Sequence, residues 1–165
     1  MPPKSAPKRK PSADPAAPIT RERLIELLNE DLEREYQAII AYVVYSQVIK
    51  GAAYMTIARE LETHAKQELD HALVIAKQID YLGGTPVVTP KPVKLADKAE
   101  ALIRFDLQNE TETIREYRDR VRQCEELGEF AMAEHIREIL RVEQEHQIDL
   151  ATALGEDPPD MTEKK

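Results

Sequence analysis

Residues 68–71 read Glu-Leu-Asp-His, and residues 143–146 read Glu-Gln-Glu-His. Both lie inside long stretches whose apolar residues recur at helical spacing. Ile57, Leu61, Ala65, Ala72, Ile75, Ile79 and Leu82 form one stripe, which Glu68 and His71 interrupt. Ile136, Leu140, Leu150 and Leu154 form another, interrupted by Glu143 and His146. Two further stripes behave alike. Leu24, Leu28, Leu32, Ile39, Tyr42 and Val43 enclose Glu35, while Ile103, Leu107, Ile114, Tyr117 and Val121 enclose Glu110. Each stretch therefore places an ionisable group near its middle, on the side predicted to be buried. Isolated buried carboxylates are costly, so four at one level require compensation.

The interruptions also repeat. Asp31-Leu32-x-x-Glu35-x-x-x-Ile39-x-x-Tyr42 matches Asp106-Leu107-x-x-Glu110-x-x-x-Ile114-x-x-Tyr117, and one shift of 75 residues also carries Glu68-x-x-His71 onto Glu143-x-x-His146. The chain thus reads as two similar halves. A single Glu-x-x-His is common on solvated helices and says little by itself. Two such pairs with two lone mid-helix glutamates make the ligand set of a di-iron carboxylate bundle. Spaced one turn apart, each pair can hold the same ion. Four carboxylates cancel the charge of two divalent cations, and two neutral imidazoles complete the shells. Carboxylate and imidazole ligands suit Fe(II), Mn(II) or Zn(II) alike.

Proline and glycine mark the boundaries. No proline falls between Ile19 and Thr85 or between Val93 and Asp157, and Gly51, Gly83, Gly84, Gly128 and Gly155 each close a helical stretch. The pattern predicts four helices over 20–50, 52–82, 96–127 and 129–154, with no competing strand pattern. Short turns at Gly51 and Gly128 make each half an antiparallel hairpin. The thirteen-residue link 83–95 reaches roughly 40–44 Å when extended. It can therefore run back along nearly all of a helix about 46 Å long. The expected fold is all-α: a ferritin-like four-helix bundle of two antiparallel hairpins joined by a long crossover, with no fifth helix.

With 165 residues and 42% hydrophobic content, the chain suits one domain, expected over 19–155. Residues 1–18 are expected to be a disordered basic tail rich in Pro, Ala and Lys, and 156–165 a flexible acidic tail. The net charge of −8 excludes a protein whose whole surface seeks nucleic acid. Lys4, Lys8, Arg9 and Lys10 against Asp14 nevertheless give the first 18 residues a charge of +3. Cys124 is the only cysteine, which rules out an internal disulfide and a four-cysteine metal knuckle. No apolar run is long enough to cross a bilayer, and no secretory signal is recognised, so a cytoplasmic location is expected.

From Leu24 to Leu154 the sequence resembles bacterioferritin and its relatives among the ferritin-like and Dps-like proteins. The resemblance is carried by Glu35-Tyr-Gln-Ala-Ile-Ile-Ala-Tyr42, Glu68-Leu-Asp-His71 and Ile139-Leu-Arg-Val-Glu143-Gln-Glu-His146. It implies two irons per subunit, Glu35 with His71 on one, Glu110 with His146 on the other, and Glu68 and Glu143 bridging. It implies oxidation of Fe(II) by O2 or H2O2 and storage of the ferric product in a hollow homo-oligomer. Tyr42 is a candidate catalytic, redox-active residue beside the metals. Asp31 and Asp106, one turn before the lone glutamates, are candidate acceptors for the outer N–H of the histidines. His64 is a candidate further ligand, with packing the plainer account; His135 and Cys124 carry no assigned role.

The chain also departs from this family. Leu69 stands where bacterioferritin has its haem-ligating methionine, so haem is not expected. Thr63 and Gln67 replace the ligands of an inner-surface iron site found in some bacterioferritins. The absence of a fifth helix favours a dodecamer over a 24-subunit cage. Dps proteins proper share their iron site between subunits, whereas all six candidate ligands here lie in one bundle. The usual cysteine pair of Dps-like ferritins is missing. The alternatives are another di-metal enzyme, such as a manganese catalase or a small di-iron oxidase or peroxidase, and a Dps-type DNA-protecting protein using its N-terminal tail. Rubrerythrin is disfavoured because its four-cysteine site cannot be built.

Overall fold

The computed structural model describes residues 18–162. They form helices α1 (Arg21–Val48), α2 (Met55–Tyr81), α3 (Ala99–Glu126) and α4 (Phe130–Leu154), with a single 3-10 turn at Ala52–Tyr54. No strand occurs among the described residues. Thr20 opens α1, its hydroxyl accepting from the Arg23 amide at 3.1 Å. α3 and α4 are joined by a short turn in which Gly128 takes φ +77°, a left-handed conformation that side chains disfavour. The predicted helices are all present. The second starts three residues late because the chain first completes the 3-10 turn, and the third starts at Ala99 rather than 96.

α1 packs along α2 and α3 along α4, while α1 meets α3 and α2 meets α4 across the bundle. The core divides into two apolar clusters. At one end the start of α1 (Leu24, Leu28, Leu32), the end of α2 (Ile75, Ile79), the end of α3 (Cys124) and the start of α4 (Met132, Ile136) come together. At the other end lie Tyr42 and Tyr45 of α1, Ile57 and Leu61 of α2, Ile103 and Leu107 of α3, and Leu150 of α4. α1 and α4 thus run one way and α2 and α3 the other. This requires the α2–α3 link to cross the length of the molecule.

The crossover follows α1 and is tied to it along its course. Asn29 donates to Thr85 O at 3.2 Å and accepts from the Val87 amide at 2.7 Å; the Lys91 amide donates to Glu33 O at 3.0 Å; Gln37 donates to Pro92 O at 2.6 Å. Farther along, the Tyr45 hydroxyl donates to Lys94 O. Where the link leaves α2, Gly84 lies so close to α1 that a Cβ there would sit 2.5 Å from Ile25 Cγ2. One packing expectation fails: Val43 is 53% exposed, and Tyr45 is buried in its place. The next residue on a helix is rotated about 100°, so Val43 leaves the face that Tyr42 occupies, whereas the i+3 residue returns to it.

Beyond α4, no helix follows among the described residues. Glu156 pairs with Arg104 at 2.7 Å, and Arg118 donates to Met161 O at 3.0 Å. Residues 156–162 thus carry contacts to α3. The basic segment read over residues 1–18 lies, apart from Pro18, outside the described residues. No described helix is long and apolar enough to cross a membrane.

Candidate metal centre

Between the two apolar clusters lies a layer of ionisable side chains. Glu35, Glu68, Glu110, Glu143, His71 and His146 are all buried there, none more than 6% exposed. They converge as two overlapping groups, Glu35–Glu68–His71–Glu143 and Glu68–Glu110–Glu143–His146, each with ligand atoms within 4.8 Å of one another. All six candidate ligands are therefore brought together, and the two halves contribute in the same way.

The distances separate two roles. Glu68 faces both histidines, with Oε1 2.9 Å from His146 Nδ1 and Oε2 3.1 Å from His71 Nδ1. Glu143 does the same, with Oε1 3.0 Å from His71 Nδ1 and Oε2 3.3 Å from His146 Nδ1. Glu35 approaches only His71, at 3.5 Å, and Glu110 only His146, at 3.9 Å. Two central carboxylates thus span both halves, and two peripheral ones each serve one.

Hydrogen bonding leaves this layer incomplete. Glu35 Oε2, Glu68 Oε1, both Glu143 oxygens and His146 Nδ1 are buried without a hydrogen-bond partner. Buried polar groups are normally satisfied, so a convergence of orphaned ligand atoms fits cations held between them. The protonation equilibria point the same way. Burial pushes Glu68 and Glu110 well above the carboxylate range, and neighbouring Glu143 adds to it. Burial opposes charge on His71 and His146, but the close approach of the Glu143 carboxylate outweighs it and raises both. For Glu143 burial works upward, yet the adjacent imidazoles of His146 and His71 hold it well below the ordinary value. Divalent cations would compete with protons for these ligand atoms.

The side chains around this layer differ from the sequence reading in instructive ways. Asp31 does not accept from a histidine. Its carboxylate forms a bidentate pair with Arg120, at 2.6 and 3.0 Å, both residues 1% exposed. Burial pushes the Asp31 carboxyl up, and Arg120 offsets only part of that. Asp106 occupies the equivalent place in the second half, but the residue equivalent to Arg120 is Tyr45, which donates elsewhere. Asp106 Oδ2 is left without a partner, and burial raises its pKa well above the usual range. The acceptor for His146 is instead Gln67, whose Oε1 lies 2.8 Å from Nε2. That bond places the outer proton on Nε2 and turns Nδ1 toward the carboxylates, as a metal-ligating imidazole requires.

Tyr42 donates to Glu110 and Tyr117 donates to Glu35, each reaching from its own half to the peripheral glutamate of the other. Burial raises both phenols well above their ordinary value, and the carboxylates reinforce it. Neither cross-bond could be read from spacing, because each joins helices distant in sequence. His64 is not drawn into the central layer. Its ring stacks on His146, centroids 4.0 Å apart, and meets Tyr42 edge-on. Cys124 is buried in the apolar end, where desolvation raises its thiol to about 11. A cavity of about 250 Å³ reaches the layer between α1 and α3, bounded by Glu35, Glu110 and the crossover residues Lys91 and Lys94.

The chain's relatives fit this geometry. Residues 25–158 match the family Ferritin-like domain. The sequence is 24% identical over 142 residues to bacterioferritin of Brucella melitensis, covering 82% of this chain and 88% of that one. It is 28% identical over 125 residues to bacterioferritin of Desulfovibrio desulfuricans, covering 75% and 70%. Among solved structures, a ferritin-like di-iron carboxylate protein from Bacillus anthracis superposes with a TM-score of 0.78 at 33% identity, covering 81% of this chain and 96% of that one. A thioferritin from Bacteroides fragilis, described as dodecameric and bacterioferritin-related, gives 0.77 at 28% identity, covering 84% and 88%. With its paired hairpins, long crossover and buried layer of four glutamates and two histidines, the chain belongs to the ferritin-like family.

Proposed function

We propose that this protein is a ferroxidase that oxidises Fe(II) with O2 or H2O2 at an intrasubunit di-iron site and stores the ferric product within a hollow homo-oligomer. The observation that carries this reading is the pair of central carboxylates, Glu68 and Glu143, each facing both histidines. This arrangement would suit two ions rather than one. Glu35 with His71 and Glu110 with His146 would serve as the outer ligands of the two irons. Gln67 orients His146, and Tyr42 and Tyr117 hold the outer glutamates in place. Iron is the favoured metal because the relatives are bacterioferritins and a di-iron carboxylate protein. The dodecameric relative supports assembly into a shell of twelve.

Glu68→Ala tests the reading. It removes one ligand from both ions, and rapid Fe(II) oxidation in stopped-flow measurements should disappear while far-UV circular dichroism stays helical. Oxidation at the wild-type rate would overturn the di-iron assignment. Peroxide turnover without net iron uptake would instead select the catalase or peroxidase alternative.

A further inference from the structure

A second group of ligand-type side chains lies on the side of His146 away from the central carboxylates. Glu60 and His64 are one turn apart on α2, and Asp149 faces them from α4. Their ligand atoms lie within 4.8 Å of one another. His64 is 2% exposed, and its Nε2 is 3.3 Å from Asp149 Oδ2. The ring is held by its stack on His146 and its edge contact with Tyr42. Its Nδ1 is buried without a hydrogen-bond partner, so no bond on the far side fixes the ring. A cavity of about 190 Å³, lined by Thr56, Glu60, Asp149 and Thr152, gives these carboxylates access to water.

A buried histidine satisfied by one aspartate would explain part of this arrangement. Glu60, which is solvent-exposed, adds a second carboxylate to the same group. No lysine or arginine among the described residues pairs with Glu60 or Asp149. Two uncompensated carboxylates beside an imidazole, with one side open to water, form the three-ligand arrangement that borderline divalent cations take, solvent completing the shell.

We propose that Glu60, His64 and Asp149 form a third divalent-cation site, one stacked ring pair from the di-metal centre, that stages Fe(II) or Zn(II) between solvent and that centre. The staging role rests on the di-metal reading; the site itself does not. The site is separate from positions 63 and 67, where Thr63 and Gln67 stand.

Zn(II) is the probe. Crystals of the full chain soaked in Zn(II) should show an anomalous peak about 2.1 Å from His64 Nε2. The variant E60Q/D149N, altered at residues with solvent access, should lose that peak and bind one Zn(II) fewer per chain in equilibrium dialysis. E68A/E143A should empty the central site and keep this peak, which separates failure of the third site from failure of the di-metal reading. Anaerobic Co(II) loading of the central site, followed by its visible absorption, should slow at least tenfold in E60Q/D149N. Wild-type protein with no peak at His64, or equal Zn(II) counts in the wild type and E60Q/D149N, would overturn the site. Unchanged Co(II) loading would overturn its staging role.

Discussion

Tyr42 and Tyr117 occupy equivalent places in the two halves, yet only a difference between them would reveal chemistry beyond hydrogen bonding. Each phenol donates to a peripheral glutamate across the bundle. Tyr42→Phe and Tyr117→Phe should each cost about 1–3 kcal/mol in denaturant unfolding, the usual loss when a buried carboxylate loses a donor. If Tyr42 supplies an electron during Fe(II) oxidation, Tyr42→Phe should slow the reaction well beyond Tyr117→Phe. Equal slowing would reduce Tyr42 to a positioning role. The protons of the central layer give a second test. The imidazoles of His71 and His146 are raised by their carboxylate neighbours, and Glu68 and Glu110 are raised by burial. Cations compete with those protons, so metal affinity should rise with pH, and Zn(II) binding at pH 7 should release protons. Calorimetry in buffers of different ionisation enthalpy reads that release directly; binding with none would contradict the ligand assignment.

α1 and α3 share the Asp31–Arg120 pair, which is desolvated on both sides. Arg120→Ala strands a carboxylate in the core and should destabilise by about 3–5 kcal/mol. The double variant D31L/R120M removes both charges and should recover most of that loss or exceed the wild type, as measured by urea unfolding. A double variant no more stable than Arg120→Ala would mean that the pair fixes the helix geometry. The crossover depends on a different constraint. At Gly84 a methyl group would meet Ile25 at 2.5 Å. Gly84→Ala should therefore cost about 1–3 kcal/mol through overpacking. It should also loosen the strap at its α2 end, and hydrogen exchange should show reduced protection near Val87.

A shell of twelve chains of 18.8 kDa would have a mass of about 226 kDa by light scattering and should take up many irons per chain. A monomer or dimer that retains only two irons would remove storage from the proposed function and leave a small di-iron oxidase. Deleting residues 2–18 should leave oxidation intact. Any retardation of DNA in gels should vanish with the deletion and weaken steeply with salt. Acid sensitivity follows from His64, whose pKa is lowered to about 3 by burial and by neighbouring His146. The unfolded chain binds a proton there below about pH 6.5, and the folded chain resists until about pH 3. Stability from this residue is thus complete above pH 6.5 and falls away as pH drops toward 3. His64→Phe should flatten that part of the unfolding profile.

The fold and the central side chains follow from local pattern. A helical stripe is apolar because it is buried, so a charge that breaks it at the same level in all four helices announces a layer that water does not solvate. Glu35, Glu68, His71, Glu110, Glu143 and His146 could be named for that reason, and the length of the 83–95 link implied the crossover. Partner choice could not be named. Asp31 and Asp106 occupy equivalent positions, but one meets Arg120 and the other lies opposite Tyr45, a difference set by which helices face each other. Gln67 carries no periodic signal, since an amide on a helix flank is ordinary until the opposite helix brings His146 within reach. Val43 and Tyr45 traded places because the burial of one residue depends on the rotation of the whole helix. Glu60, His64 and Asp149 are separated by 85 residues between His64 and Asp149. Only packing of α2 against α4 brings them together, because hydrogen bonding and ligation act over a few ångströms while sequence spacing constrains side chains only along their own helix.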